Sequence, residues 1–203
     1  MIGKVFKLFR EKGGLLKALD LWDWYESLDP QKQKIVKYYF SLKTIKNLRF
    51  PYKAKHFDSG EVKDTLYTKR TFLGSIAQMA LLEGDTKNAE WLYLEALKME
   101  GTPLEAHMIL NDLVLLAQKE KDYNKMETYA KADIELFEDY KESLKEKEGG
   151  RLPHINSFDL MLYLLERKGE YHKSWELLSY MESQSIPVYP ETKERLKAKC
   201  QSS

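Results

Sequence analysis

The side chains best able to bind a metal ion or to act as nucleophiles are few and scattered in this sequence of 203 residues. The four histidines are His56, His107, His154 and His172, and no two of them stand three or four residues apart. That spacing would place two ligands on one face of a helix. Cys200 is the only cysteine, so the ligands of a closed zinc site are lacking. We therefore expect no bound metal.

The short motifs that present a catalytic serine or hold a phosphate group are incomplete. The run Leu73-Gly74-Ser75-Ile76 does not extend to G-x-S-x-G, the turn that exposes a serine nucleophile in many hydrolases. Gly149-Gly150 is not followed by the Lys-Ser/Thr pair of a phosphate-binding loop. The sequence therefore predicts no catalytic residues, no enzymatic activity and no cofactor.

The charges are numerous but nearly balanced, and they are unevenly placed. Charged residues make up 32% of the chain and the net charge is +1, while 43% of the residues are hydrophobic, which predicts a folded core rather than disorder. Residues 1–60 carry 13 Lys and Arg against 6 Asp and Glu, whereas the rest carries 20 against 26. Either the N-terminal segment packs against the acidic remainder, or it binds an acidic or phosphate-bearing partner.

Two further features bear on where the protein works. A single cysteine permits no disulfide within the chain and favours a reducing compartment, so we expect a cytoplasmic protein. No apolar run approaches the roughly 20 residues that a membrane-spanning helix needs, so we expect no membrane span.

The first 60 residues are predicted to form an N-terminal helical cap. Apolar spacing predicts a short amphipathic helix over residues 2–12 and a second helix over residues 15–28, separated by Gly13-Gly14. Asp29-Pro30 is a typical helix start, because aspartate accepts hydrogen bonds from free N–H groups and proline suits the first turn. Residues 49–60 are irregular, and we place a domain boundary at residue 60.

Residues 61–203 are predicted to form an array of helical pairs with a C-terminal capping helix. The second helix of the middle pair is charged near its end and is predicted to project past the others until Gly149-Gly150. The fold class is all-α, since no stretch alternates like a strand. The predicted pairs are residues 61–83 with 86–100, 103–120 with 123–148, and 154–168 with 170–184, followed by a final helix over 191–199.

A recurring pattern joins these pairs. In the first pair Gly84-Asp85 forms a turn, and Ala89 and Ala96 flank Tyr93 on the second helix. Related turns recur at Lys121-Asp122 and Gly169-Glu170. Two antiparallel helices cannot bury their apolar faces alone, so such pairs stack and share a core, with small residues where helices cross.

This pattern resembles the tetratricopeptide repeat, whose period is about 34 residues, over roughly residues 65–186. The resemblance implies a right-handed stack of antiparallel helical hairpins, an α-solenoid, with extra helices at both ends. It also implies a protein-interaction module or scaffold whose leading helices line a groove for a peptide or a partner helix. The residues implied to line that groove are Thr71, Gln78, Asn111, Gln118, Asn156 and Tyr163.

Several alternatives stay open at this stage. The third pair also resembles a pentatricopeptide repeat, an RNA-reading relative, but Leu160 stands where that family has a polar base-reading side chain. The second hypothesis is a nucleic-acid binder that uses the basic N-terminal segment. We do not expect nucleic acid as the main partner. The chain's own N-terminal helix filling the groove is a third. The identity of the protein partner and homo-oligomerisation are left open.

Overall fold

The computed structural model describes residues 12–47 and 50–202. Within those ranges the regular structure is helical throughout, with eleven α-helices, one 3-10 helix and no strand, which confirms the all-α prediction. The chain divides at Glu100–Gly101 into two compact units.

The first unit surrounds an aromatic core. Phe40 and Phe57 lie 5.2 Å apart between ring centroids, and Phe72 lies 5.9 Å from Phe40. All three rings are fully buried, and such pairs gain about 0.5–1.5 kcal/mol each beyond their area burial. The elements of this unit are α1 Gly14–Ala18, α2 Trp22–Ser27, α3 Pro30–Lys46, the 3-10 helix Ala54–Phe57, α4 Lys69–Leu82 and α5 Thr86–Leu97.

The helix predicted over residues 15–28 is in fact two helices, because Asp20 adopts a left-handed conformation at φ 51°. The preceding Gly14 has φ +66°, and a Cβ there would lie 2.6 Å from the His56 carbonyl oxygen. Only glycine fits this close approach. The restart at Asp29-Pro30 is confirmed, since the Asp29 carboxylate accepts hydrogen bonds from the first turn of α3.

Of the two alternatives left open for the basic N-terminal segment, packing against the following chain is observed for residues 12–47. The helix α3 packs on α4, and Lys37 pairs with Asp58 while Lys46 pairs with Glu83. The Trp24 indole donates to the Glu95 carboxylate at 2.9 Å. The helix predicted over residues 2–12 lies, apart from Lys12, outside the described residues. The predicted boundary at residue 60 falls inside the first unit, where the Gly14 N–H donates to the Gly60 carbonyl.

The second unit is built on six helices. Its core holds Phe137, Tyr140, Phe158 and Met181, all fully buried, with Leu196 of the last helix closing one side. The helices are α6 Pro103–Glu120, α7 Tyr123–Glu135, α8 Phe137–Lys147, α9 Asn156–Arg167, α10 Tyr171–Ser183 and α11 Pro190–Ser202. The predicted helix pairs are present as contacting helices, α4 with α5, α6 with α7 and α9 with α10.

The prediction of one long helix over residues 123–148 is wrong. The chain bends at Leu136, where the hydrogen bonds tighten to a three-residue spacing, and α8 turns back to pack on α6. The reason is burial: Phe137, Tyr140 and Leu144 form an apolar stripe that a straight, projecting helix would leave in water. Only the remaining faces of α8 are charged and solvated, as predicted.

The three turns within the helix pairs share one geometry. Gly84, Lys121 and Gly169 all have positive φ, at 80°, 59° and 75°. At each turn the following N–H donates to a carbonyl five residues back, which satisfies the end of the leading helix. Lys121 is the exception in residue type, because a side chain with a Cβ disfavours this conformation by about 1–2 kcal/mol.

Candidate functional site

The helices α6 and α9 contact each other and carry four of the six groove residues expected from the sequence. The Asn156 amide donates to the Asn111 amide oxygen at 2.8 Å, which joins the two helices at one end. Gln118 and Tyr163 line a common cleft further along. The structure therefore brings these four residues together on one face of the second unit.

The face of α6 is a mixed polar and apolar stripe. Met108, Asn111, Leu115 and Gln118 recur at three- and four-residue spacing and so share one side of the helix. Met108 is 46% exposed and Leu115 is 41% exposed. Neither side chain is needed in the core, so the stripe offers apolar surface beside amide groups.

The cleft at the end of this face has a volume of about 330 Å³. It lies among α6, α7 and α9, and its floor is apolar while its rim is polar. Tyr163 on the rim is 46% exposed. The lining residues are Gln118, Lys121, Tyr123, Met126, Asp159, Leu160 and Tyr163.

Arg167 orders the aromatic side of the cleft. Its guanidinium carbon lies 4.0 Å from the centre of the Tyr123 ring, and its Nη1 donates to the Tyr163 hydroxyl at 3.4 Å. The Arg167 guanidinium, and then the Tyr123 hydroxyl, lower the pKa of Tyr163. A cation over a tyrosine face is itself stabilising by about 0.5–1 kcal/mol at an exposed site.

Asp159 is the acidic residue of the cleft. Burial raises the pKa of its carboxyl, and the opposing effect of His154, whose Nδ1 is 3.6 Å away, is smaller. The negative charge of Asp159 is therefore disfavoured by its surroundings and partly compensated by its neighbour.

The other two predicted groove residues belong to α4 of the first unit. The Thr71 hydroxyl accepts from the Thr68 N–H at 2.9 Å, so it is used in capping the helix. Gln78 is exposed. The structure gives Thr71 a local structural role that the groove prediction did not foresee.

Sequence reasoning missed Lys121, Tyr123 and Arg167 as site residues. Arg167 stands four residues after Tyr163, a spacing that places both on one helical face and that could have been noticed. No sequence pattern marks Lys121 as a site residue, since the repeat pattern indicates only that it belongs to a turn.

A second polar feature lies in the core of the same unit. The fully buried Asp133 carboxylate is 2.8 Å from His107 Nδ1 and accepts from the Ser157 hydroxyl at 2.6 Å. The Tyr140 hydroxyl donates to it at 3.5 Å, and the Tyr140 ring stacks on His107 with centroids 4.1 Å apart. Burial, and then the Asp133 charge, raise the pKa of Tyr140.

This network is not a catalytic triad. In a triad the histidine lies between the acid and the serine, so that it can take the serine proton. Here the carboxylate lies between His107 and Ser157, and both side chains are buried. Its evident role is to hold α6, α7, α8 and α9 together, because each helix contributes one member.

Within the described residues no group of three or more His, Cys, Asp or Glu side chains is arranged to hold a metal ion. In the same part of the chain, no helix combines the length and the apolar character that crossing a membrane would require.

The chain is 61% identical over 198 residues to an uncharacterized protein of Aquifex aeolicus (strain VF5). The match covers 97% of this chain and 98% of the relative. This chain belongs to the same family as that Aquifex protein. No model of a described protein family matches the sequence, and no solved structure matches it.

Proposed function

We propose that this chain is a protein-interaction module, and that the face formed by α6 and α9 holds a peptide segment of a partner protein. The observation that carries the proposal is the convergence of Asn111, Asn156, Gln118 and Tyr163 on that face. The proposal includes the tetratricopeptide-like stacking of the helix pairs that the sequence resemblance implies.

The chemistry of the face suits a peptide. An amide side chain both donates and accepts hydrogen bonds, so Asn111 and Gln118 can pair with the N–H and C=O groups of a bound backbone. Exposed Met108, Leu115 and Tyr163 supply apolar contact area, and methionine adapts its shape to different side chains.

Nucleic-acid binding through the basic N-terminal segment ranks second. Several of its lysines already pair with carboxylates within the first unit, Lys37 with Asp58 and Lys46 with Glu83 among them. These lysines are less available for phosphate groups, whose neutralisation dominates such binding.

The proposal is tested by selecting peptides from a random display library on the full chain. We expect the selected peptides to bind in solution and to lose about five- to tenfold in affinity on Tyr163→Ala, because an exposed tyrosine at an interface centre contributes about 1 kcal/mol or more. Tyr38→Ala is the matched control, since Tyr38 is 57% exposed on α3 of the first unit.

If no peptide is enriched, or if Tyr163→Ala and Tyr38→Ala weaken binding equally, the α6–α9 face is not the binding site.

A further inference from the structure

The cleft beside Tyr163 is a local concentration of positive charge in an acidic unit. Residues 101–203 carry 15 Lys and Arg against 19 Asp and Glu. Lys121 nevertheless lines the cleft, and Arg167 lies against two of its lining residues, Tyr123 and Tyr163. In the described chain neither cation forms an ion pair with a carboxylate. These two cations favour an anionic ligand beside the cleft, although the unit as a whole carries more carboxylates than cations.

Several other charges near the cleft are paired within the protein. Glu127 pairs with Lys131 and with Lys168, and these lysines lower the pKa of its carboxyl to about 2. Glu170 pairs with Lys173. Asp159, the acidic residue of the lining, lies 3.6 Å from His154 Nδ1, and burial disfavours its charged form. The cations Lys121 and Arg167 are not paired in this way.

Lys121 adds an independent observation. It occupies a left-handed position that glycine fills at the two equivalent turns, Gly84 and Gly169. A lysine at this position strains the backbone, and strained backbone positions cluster at functional sites such as ligand-binding sites. Lys121 is also one of the residues that line the cleft.

We propose that the cleft binds an internal acidic segment of a partner protein, with carboxylate side chains against Lys121 and Arg167 and an apolar side chain in the cleft. This inference rests on the proposed function and names its ligand class. The two cations come from different elements, the end of α6 and the end of α9, which suits two carboxylates spaced along a chain. Apolar contact with Met126 and Leu160 on the floor would anchor the segment.

A single-stranded nucleic acid would also offer anions and stacking rings. It is the poorer fit, because phosphate binding gains from many neutralised charges, and here two cations lie in a unit with an excess of carboxylates.

The probe is a set of nine-residue peptides with a central tyrosine, flanked by glutamate, glutamine or lysine, acetylated and amidated so that no chain end is charged. Binding to the full chain is measured by fluorescence polarisation at low and high salt. We expect the glutamate peptides to bind most tightly and to weaken with salt, because screening acts on exposed charges.

Variants then assign the preference to the two cations. Lys121→Asn keeps a residue that tolerates the left-handed conformation, and Arg167→Gln removes the second charge. Lys121→Asn should weaken the glutamate peptides by roughly two- to fivefold and leave the glutamine peptides unchanged. Arg167→Gln should weaken the glutamate peptides more than the glutamine peptides, because it also removes the contacts of Arg167 with Tyr123 and Tyr163. Lys197→Gln, an exposed cation on α11, is the matched control and should change neither. The double change to Lys121→Glu and Arg167→Glu should reverse the preference toward lysine peptides.

The outcomes separate the two proposals. Equal binding of the three peptide sets through Tyr163 would leave the interaction module standing and overturn the acidic ligand. Binding of none of them would overturn the acidic ligand, while the display selection decides the interaction module separately. A labelled oligonucleotide of about 20 thymidines that binds more tightly than the peptides, and loses binding on Arg167→Gln, would replace the peptide with nucleic acid.

Discussion

Lys121 holds a backbone conformation that costs free energy in the folded state, and this makes it a sharp probe at the scale of single residues. Its φ of 59° falls in the region that glycine enters freely and other residues enter at a cost of about 1–2 kcal/mol. Replacing Lys121 by glycine would remove this cost from the folded state. Part of the resulting gain in stability is offset, because glycine gives the unfolded chain a greater conformational entropy.

Lys121→Gly should therefore raise the free energy of unfolding by about 0.5–1 kcal/mol, measured by urea denaturation. The same change should weaken an acidic peptide, since the charge at the cleft is lost. Lys119→Gly, at an exposed position inside the last turn of α6, is the control and should destabilise by about 1 kcal/mol. A destabilised Lys121→Gly variant would show that the lysine is not strained.

At the scale of elements, α11 is attached to α9 by a cluster of charges around Glu166. Arg195 donates to both Glu166 oxygens, at 2.9 and 2.8 Å, and Lys199 donates at 3.2 Å. The Arg195 hydrogen bond is the largest cause that lowers the pKa of Glu166 below its usual value of 4.5. Because the folded pKa is depressed, this stability is present above about pH 4.5 and is lost as the pH falls through the folded pKa.

Glu166→Gln should lower the unfolding free energy at pH 7 by about 1 kcal/mol, the range of a well-formed bidentate pair, and speed amide exchange in α11. Below the folded pKa the wild type and the variant should melt alike, because Glu166 is then protonated in both states of the wild type. Glu194→Gln, an exposed acid on α11, should have little effect at either pH. A loss that stays constant from pH 7 to pH 3 would contradict the ionic attachment.

The helices themselves were predictable from the sequence, and the places where the prediction failed have physical causes. Asp29-Pro30 carries its cap in local sequence, so the start of α3 was found. The bend at Leu136 was not, because it is enforced by the burial of Phe137 and Tyr140 against α6, a contact distant in sequence. The candidate site shows the same contrast between local and distant signals. Asn111 and Tyr163 were inferred from their positions in the repeat pattern. The network around Asp133 could not be inferred, because it requires side chains from four helices to meet.

At the scale of the whole molecule, the division at Glu100–Gly101 and the sequence-based boundary at residue 60 make different forecasts for truncated chains. A fragment that begins at residue 61 removes Phe40 and Phe57 from contact with Phe72, and so uncovers an aromatic core. A fragment of residues 101–203 keeps its own clusters of buried side chains intact.

We expect fragment 101–203 to be monomeric and to melt cooperatively, and fragment 61–203 to aggregate or to bind a hydrophobic dye, because large uncovered apolar patches drive association. Circular dichroism melts and size-exclusion chromatography measure both. If fragment 61–203 were instead as soluble and cooperative as the full chain, the boundary would lie at residue 60.

The buried carboxylate of Asp133 also determines how the second unit can come apart. Its partners His107, Tyr140 and Ser157 lie on three other helices. Detaching any of these helices would leave a buried polar group without a hydrogen-bond partner. A buried polar group without a partner destabilises a protein by about 1–3 kcal/mol. This cost disfavours partly unfolded states in which one helix is detached and the others stay folded. Half-open states are thus depleted, and α6 to α9 should lose protection from solvent exchange at one common rate, as a single foldon.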